Sequence, residues 1–318
     1  MRQIPFFALL SAVFALPAGA QDLSVVLPED AKLERVASGF QFAEGPVWNG
    51  EELLVSDVRG DTVYIVDETG DKRTFKSPSH WANGHTWDRS GALLAAEHAS
   101  GALTRQVGDG PAETIVDRFE GKRLNSPNDV IVRSDGTIFF TDPTFGLQPP
   151  SGPVTRPAEL DFAGVYSVDP ETRDLRLLTR VLAAPNGLAL SPDERRLYVT
   201  DSATKRILAF DVASDGSISG SRVFADFAGV DAKGGVDGMK VDAAGHVYAV
   251  CPGGVCVLDA DGAPLGTIET PERATNVAWG GEGLNVLYIT TPSSLYRIAT
   301  SMDGAGSGVR PSERPRDK

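Results

Sequence analysis

The chain has 318 residues, of which 41% are hydrophobic, with 34 glycines and 21 prolines. This length can bury a substantial core in one large all-β domain or two ordinary domains, and the many glycines and prolines favour short elements joined by tight turns. The formal net charge of -13 argues against a nucleic-acid partner, because binding phosphates requires clustered Lys and Arg side chains.

Residues 1–20 have the pattern of a secretory signal peptide. Arg2 supplies the positive charge, the stretch 4–15 is almost wholly apolar, and the small residues 18–20 match the cleavage rule of signal peptidase. A buried first helix is the alternative, and the apolar stretch is too short for a transmembrane helix. We therefore expect cleavage before Gln21, no membrane span, and a mature protein that is periplasmic or secreted.

Six segments of the remaining chain repeat one pattern: a polar residue, small and apolar residues, a turn, and a short run rich in β-branched and aromatic residues. The opening polar residues are Glu44, Asn83, Asn128, Asn186, Asp237 and Asn276. Their spacings of 39, 45, 58, 51 and 39 residues are typical of propeller blades with three or four short strands each. The alternative of two β-sandwiches would not repeat a polar residue at the same place in every unit. The sequence therefore predicts an all-β fold, a six-bladed β-propeller over residues 21–300.

Three further segments are predicted from their composition and position, two within this domain and one after it. Residues 32–37 are predicted to supply the outer strand of the last blade, which would remove an exposed sheet edge. The segment 148–164, rich in Pro, Gly and Ser, is either a solvated loop or a lid over the channel mouth. Residues 301–318 lack a hydrophobic period and are predicted to form a disordered tail.

Cys251 and Cys256, the only two cysteines, flank a Pro-Gly-Gly-Val connection. An oxidising compartment permits a disulfide between them, but the sequence supplies neither the distance nor the Cβ geometry that the bond requires. No histidine stands beside the pair at ligand spacing, which argues against a zinc site there.

The opening polar residues are expected to meet, because the first strand of each propeller blade lines the central channel. Two carboxylates and four amides around one narrow axis would be costly to bury without partners, and a hard divalent cation binds such oxygens. Only His85 lies near this set, so calcium or magnesium fits better than structural zinc. Any one Asn-Gly or Asp-Gly pair is explained as well by a turn. Six at the same phase instead favour a metal site in the central channel.

Four motifs, EGPVW, NSPNDV with TDPTFG, PNGLALS and VDGMKVD, occur in order between Glu44 and Ile298. They resemble motifs of the gluconolactonase/regucalcin (senescence marker protein) family of six-bladed propellers, and NSPNDV and AAEHASGALTR are similar to its bacterial lactonases. The resemblance implies that the protein hydrolyses a small-molecule sugar lactone with the help of one divalent metal ion. Calcium is the preferred ion, and zinc, manganese or magnesium are the alternatives. The resemblance also implies that Glu44, Asn186 and Asp237 are metal ligands, and that Asn128 binds substrate or completes the metal shell.

The same resemblance has one departure, since animal members carry an Arg where this chain has Ser126. The departure leaves the identity of the lactone open. In the implied reaction, a bound cation polarises the lactone carbonyl and lowers the pKa of a water molecule. Asp237 is then the general base or only a ligand, while Asn128 and Asn83 orient the substrate. His98 either lines the pocket as a further substrate contact or is a satisfied polar residue on a strand.

Two other functions use the same residues. A phosphotriesterase or another esterase would keep the ligands and change the substrate, and a non-catalytic calcium-binding propeller would keep only the ion, since a fold does not dictate a function. A Ser-His-Asp hydrolase is disfavoured because the chain has no G-x-S-x-G elbow. Asp142 is expected either to support the channel mouth or to form a turn, and the tryptophans near the blade starts are expected to pack between blades.

Overall fold

The computed structural model describes residues 22–149, 152 and 156–306. In these ranges the regular structure is β-strand apart from two short 3₁₀ turns, Leu23–Val25 and Phe145–Leu147. Six four-stranded antiparallel sheets and one two-stranded hairpin account for the strands, and the predicted six-bladed propeller is confirmed. No helix within these ranges has the length and apolar character needed to cross a membrane. The predicted signal peptide lies outside the described residues.

Within each of the first five blades the strands pair in chain order, from the channel outwards. The strands are β1 (Glu34–Ser38); β2 (Ala43–Trp48), β3 (Leu53–Asp57), β4 (Thr62–Val66) and β5 (Lys72–Lys76) in blade 1; β6 (Ala82–Trp87), β7 (Leu93–Glu97), β8 (Ala102–Gln106) and β9 (Glu113–Val116) in blade 2; β10 (Arg118–Phe119) and β11 (Lys122–Arg123) in the hairpin; β12 (Val130–Val132), β13 (Ile138–Asp142), β14 (Gly164–Val168) and β15 (Leu175–Thr179) in blade 3; β16 (Pro185–Leu190), β17 (Arg196–Asp201), β18 (Arg206–Val212) and β19 (Ile218–Asp226) in blade 4; β20 (Met239–Val241), β21 (Val247–Cys251), β22 (Gly254–Leu258) and β23 (Pro264–Glu269) in blade 5; and β24 (Asn276–Gly280), β25 (Val286–Thr290) and β26 (Ser294–Ala299) in blade 6.

The last blade is completed from the beginning of the described chain. Strand β1 pairs antiparallel with β26, with Glu34 opposite Arg297 and Ser38 opposite Ser294. This pairing confirms the prediction that residues 32–37 supply the outer strand, although the strand itself runs from Glu34 to Ser38. Closure in this way joins the first and last blades through backbone hydrogen bonds.

Aromatic side chains fill the space between neighbouring blades, as expected for the tryptophans. The indole Nε1 of Trp87 donates to the carbonyl oxygen of Trp48 at 2.8 Å, which ties blade 2 to blade 1. The Trp48 ring stacks on Tyr288 of blade 6 with ring centroids 5.8 Å apart. Because both faces of the inner strands are covered, these strands are buried along their whole length, as β2 and β6 show.

The structure shows how the two cysteines and the start of the predicted tail are held. Cys251 and Cys256 form a disulfide across the β21–β22 hairpin. The start of the predicted tail, residues 301–306, is not free: the amides of Gly304 and Ala305 donate to the carbonyl oxygens of Leu284 and Val241. At Gly304 and Ala305 the chain therefore still hydrogen-bonds to blades 6 and 5. Residues 307–318 lie outside the described ranges.

The described part of the 148–164 segment is packed against blade 3. The guanidinium of Arg156 donates to the carbonyl oxygens of Leu124 and Asn125 at 2.8 and 2.7 Å. Leu160 is buried in the hydrophobic core that blades 2 and 3 share. These contacts anchor the segment beside the stretch that leads to Asn128, and whether the segment acts as a lid stays open.

Candidate active site

The inner strands bring five of the six repeated polar residues to one cavity of about 570 Å³. Glu44 and Asn186 lie within β2 and β16, and Asn128 and Asp237 stand two residues ahead of β12 and β20. The lining residues from the predicted set are Glu44, Asn83, His98, Asn128, Asn186 and Asp237. The cavity therefore opens at the end of the channel where the inner strands begin.

The glycines that follow these polar residues allow the inner strands to approach one another. A Cβ atom on Gly187 would lie 2.5 Å from the carbonyl oxygen of Asp237, and one on Gly238 would lie 1.9 Å from the Asn276 side chain. Neither glycine has a positive φ angle, and Gly187 lies within strand β16. The Asn186-Gly187 and Asp237-Gly238 pairs are therefore sites of close packing between blades rather than the turns that the alternative interpretation proposed.

Hydroxyl groups on the second strands fix the backbone of the cavity-lining residues in the next blade. The donors and acceptors are Ser56 Oγ to the carbonyl oxygen of Asn83, Thr141 Oγ1 to that of Asn186, and Thr200 Oγ1 to that of Asp237, each at 2.8 Å. The same interaction recurs because each blade repeats the same geometry. It fixes the backbone position from which each polar side chain extends into the cavity.

Aspartates at the ends of second strands hold the segments that lead into the inner strands. The Asp142 carboxylate accepts hydrogen bonds from the backbone N–H groups of Asn125 and Ser126 at 2.8 and 2.7 Å. Asp57 and Asp201 accept equivalent backbone hydrogen bonds in blades 1 and 4. Of the two expectations for Asp142, support of the channel mouth is therefore the one its contacts favour. This carboxylate fixes the approach to Asn128.

Glu44 and Asp237 are the two carboxylates of the cavity. Burial raises the pKa of Glu44 to about 7, although Asn276 Nδ2 and the Gly45 amide donate to its Oε2 at 2.9 and 2.8 Å. Burial, and then the nearby charge of Glu44, raises the pKa of Asp237 well above its ordinary value. Two carboxyl groups in this position disfavour each other's ionisation. A positive charge between them would favour the ionised form of both carboxyl groups and so lower the pKa of each.

The amide side chains have their nitrogen atoms engaged by neighbours. Asn186 Nδ2 donates to Ser202 Oγ at 3.0 Å, and Ser202 Oγ donates in turn to the Val236 carbonyl oxygen. This chain of hydrogen bonds leaves the Asn186 oxygen available to a cation. Among the described residues no cluster of three or more His, Cys, Asp or Glu side chains could hold a metal ion. Any cation in this cavity would therefore need amide oxygens beside the two carboxylates.

His98 is buried against two of the amides. Its Nε2 lies 3.2 Å from Asn83 Nδ2 and 3.4 Å from Asn128 Nδ2. Burial lowers the pKa of His98 to about 4, so the ring is neutral at pH 7, and the single lone pair of Nε2 can accept one hydrogen bond shared between these two amides. The imidazole thereby orients both asparagines, whose oxygen atoms remain available to a ligand.

Two neighbouring polar residues are not part of the cavity lining. His85 is buried, with Nδ1 3.3 Å from Ser56 Oγ, and burial lowers the pKa of its ring to about 4. Asn276 opens the sixth repeat, but its side-chain amide donates a hydrogen bond to the Glu44 carboxylate and does not line the cavity. The sixth polar residue therefore positions a cavity residue instead of joining the five.

The cavity also contains residues that the repeat pattern did not indicate. These are Phe42, Val58, Arg59, Phe145, Ser202, Lys205, the segment 234–236 and Arg273. Several stand just before an inner strand or just after a second strand, at the same end of the blades as the polar set. Phe42, residues 234–236 and Arg273 stand within three residues ahead of a repeated polar residue, and this position was the signal that could have found them.

Comparison with known protein families identifies the family of this chain. The sequence model of the family described as the SMP-30/Gluconolactonase/LRE-like region matches residues 42–293. The chain belongs to this family. The gluconolactonase of Zymomonas mobilis is 31% identical over 310 residues, covering 89% of this chain and 85% of that protein. The pentonolactonase XacC of Haloferax volcanii is 32% identical, covering 80% of this chain and 83% of its own.

A solved gluconolactonase has the same architecture. The structure of XC5397 from Xanthomonas campestris, a gluconolactonase important in glucose secondary metabolic pathways, superposes with a TM-score of 0.80 at 37% identity. The match covers 86% of this chain and 90% of that one. The family resemblance inferred from the four motifs is thus confirmed.

Proposed function

We propose that this protein is a carboxylic ester hydrolase that opens a sugar lactone with the help of one divalent cation. The observation that carries the proposal is the convergence of Glu44, Asn128, Asn186 and Asp237 on one cavity. The names of the relatives support it, because a gluconolactonase and a pentonolactonase are among them at 31% and 32% identity.

The side chains of the cavity fit a hard cation. Their donors are carboxylate and amide oxygens, the ligand types that calcium and magnesium prefer. The Ser202 hydroxyl already engages the amide nitrogen of Asn186, and Glu44 and Asp237 lack a basic partner in direct contact among the described residues. We infer that Glu44, Asn186 and Asp237 hold the ion and that Asn128 completes its shell, with calcium preferred and magnesium, manganese or zinc as alternatives.

The proposed reaction combines the chemistry of a bound cation with two contributions from the chain, a proton acceptor and side chains that orient the substrate. A divalent cation, when bound, polarises the lactone carbonyl and lowers the pKa of water. Asp237, which is partly exposed to the cavity, accepts the proton of a water molecule as its oxygen bonds to the carbonyl carbon. The ring C–O bond then breaks, and the ring oxygen takes up the proton that Asp237 accepted from the water, which gives the hydroxy acid and restores the Asp237 carboxylate. Asn83, Asn128 and His98 orient the ring and its hydroxyl groups.

The test compares the wild type with Asp237→Asn on D-glucono-1,5-lactone, with added calcium and then with EDTA. Removal of a general base lowers kcat by about 10²- to 10⁴-fold, and EDTA should abolish turnover in the wild type. Asp231→Asn, which changes an exposed aspartate in the same interblade connection, is the matched control and should retain full activity.

Other outcomes separate the competing functions. Turnover that is insensitive to EDTA, or undiminished in Asp237→Asn, would contradict the proposed mechanism. Hydrolysis of a phosphotriester in place of every lactone would assign the site to another ester class. Calcium binding measured by calorimetry, with no turnover of any lactone or phosphotriester, would indicate a non-catalytic calcium-binding propeller.

We also propose that the mature protein acts in the periplasm or outside the cell. The signal-peptide pattern of residues 1–20 and the Cys251–Cys256 disulfide support this location, since disulfides persist in oxidising compartments. Mass spectrometry of the protein from periplasmic and extracellular fractions should find an N-terminus at Gln21. Recovery of the uncleaved chain from the cytoplasm alone would contradict the proposal.

A further inference from the structure

Three basic side chains line the cavity from three different blades. Arg59 lies in the turn between β3 and β4, Lys205 in the corresponding turn between β17 and β18, and Arg273 in the connection that leads to β24. Arg59 and Arg273 are exposed, and Lys205 is half-buried. The Glu44 carboxylate is only 3% exposed, whereas the Arg59 and Arg273 side chains are exposed, so the deep part of the cavity is acidic and its mouth is basic.

These three residues have no carboxylate partner in the described ranges. Some basic side chains elsewhere in the described ranges pair with a carboxylate, as Arg105 does with Asp88 and Arg206 does with Asp226. The chain has 43 acidic and 30 basic residues, so partners are plentiful. None of the ion pairs involves the three cations of the mouth. Their charges are therefore available to a ligand.

Phe42 holds two of these cations at the mouth without neutralising them. The Cζ atom of Arg59 lies 4.9 Å from the centroid of the Phe42 ring, and that of Arg273 lies 5.4 Å from it. Attraction between a guanidinium and an aromatic face stabilises the side-chain position but leaves the N–H donors free for anionic groups. Arg273 also acts electrostatically on Glu44 and Asp237, so it links the mouth to the floor.

We propose that the substrate carries an anionic group, a carboxylate or a phosphate, in addition to its lactone ring. This inference rests on the proposed lactone hydrolysis and specifies its substrate class. The ring would lie beside Asp237, and the anionic end would bind Arg59, Lys205 and Arg273. A protein with a net charge of -13 repels anions at long range. A local group of cations at the entrance is what allows such a substrate to approach.

The experiment measures kcat/KM for three lactones: neutral glucono-1,5-lactone, the carboxylate-bearing 1,4-lactone of glucaric acid, and 6-phosphoglucono-1,5-lactone. The wild type should prefer at least one charged lactone over the neutral one by about tenfold or more, and this preference should shrink with added salt because exposed charges are screened. Whichever charged lactone is preferred identifies the anionic group.

Charge-removing variants test the assignment of the mouth. In the double variant Arg59→Gln/Lys205→Gln, the ratio of kcat/KM for the charged lactone to that for the neutral one should fall about tenfold, since each pairing with an anion is a charge-assisted hydrogen bond. Arg73→Gln is the matched control, because Arg73 is an exposed arginine of blade 1 that pairs with Glu52 away from the cavity. Its ratio should equal that of the wild type.

The two proposals fail in different ways. The anionic substrate is refuted, while lactone hydrolysis stands, if kcat/KM for the neutral lactone equals that for both charged lactones. The same holds if the double variant keeps the wild-type ratio of kcat/KM for the charged lactone to that for the neutral one. If none of the three lactones is opened, the proposed function itself fails and the substrate class falls with it.

Discussion

Replacing Asn276 by Ala tests how the protein keeps Glu44 ready to bind a cation. Asn276 Nδ2 donates to Glu44 Oε2 at 2.9 Å, and the other donor to that oxygen is the Gly45 amide. A hydrogen bond to a charged group contributes about 1.5–3 kcal/mol. At about 1.4 kcal/mol per factor of ten, its loss corresponds to cation binding that is weaker by roughly 10- to 100-fold. The same range is typical when a residue that orients a metal ligand is removed.

The assay is calorimetric titration of calcium into metal-stripped protein at pH 7.5, with circular dichroism to establish that the variant is folded. Asn285→Ala is the matched control, because it removes an exposed amide from the same blade, and only its backbone carbonyl accepts the hydrogen bonds from Thr300. The control should bind calcium as the wild type does. A folded Asn276→Ala variant with calcium affinity within twofold of the wild type would refute the role given to Asn276.

Two further predictions concern stability. Gly187→Ala should lower Tm by several degrees, because the new Cβ would lie 2.5 Å from the Asp237 carbonyl oxygen. Overpacking of this kind costs about 1–3 kcal/mol. An unchanged Tm in calorimetry would contradict the close approach of blades 4 and 5. The hydrogen bond from Arg133 lowers the pKa of Asp135 to about 2, so its contribution to stability is complete above an ordinary aspartate pKa and is lost as the pH falls through about 2. Thermal unfolding across this range should show Asp135→Asn less stable than the wild type at pH 6, with the difference closing towards pH 2, and a difference independent of pH would argue against the ion pair.

The blade repeat was predictable because its information is local. Each unit carries a polar residue, small residues and a β-rich run at a constant phase, and these short-range features survive the variation in loop length. The closing role of residues 32–37 followed from the need to cover a sheet edge. Both predictions agree with the strand pairing.

Other features depend on contacts between distant residues. Asn276 has the same residue type and phase as Asn186, yet its amide holds Glu44 across the closure between blades 6 and 1. The disulfide needed the hairpin register that places Cys251 and Cys256 near each other. The cations of the mouth lie in turns and connections, where side-chain direction depends on backbone conformation; Lys205, for example, has a φ of 55°. No periodic pattern specifies such directions.

The pairing of β1 with β26 has a consequence for how the chain folds as it is synthesised. Strand β1 is made first, but its partner β26 ends at Ala299, so the edge of the last blade stays open until nearly all of the described chain has emerged. Contacts between such distant segments form slowly, because a long loop must close before they gain any stability. Five blades can stack in order while the ring is still incomplete. The nascent protein therefore carries an unpaired strand whose correct partner arrives last, and ring closure is the step most exposed to pairing with another chain.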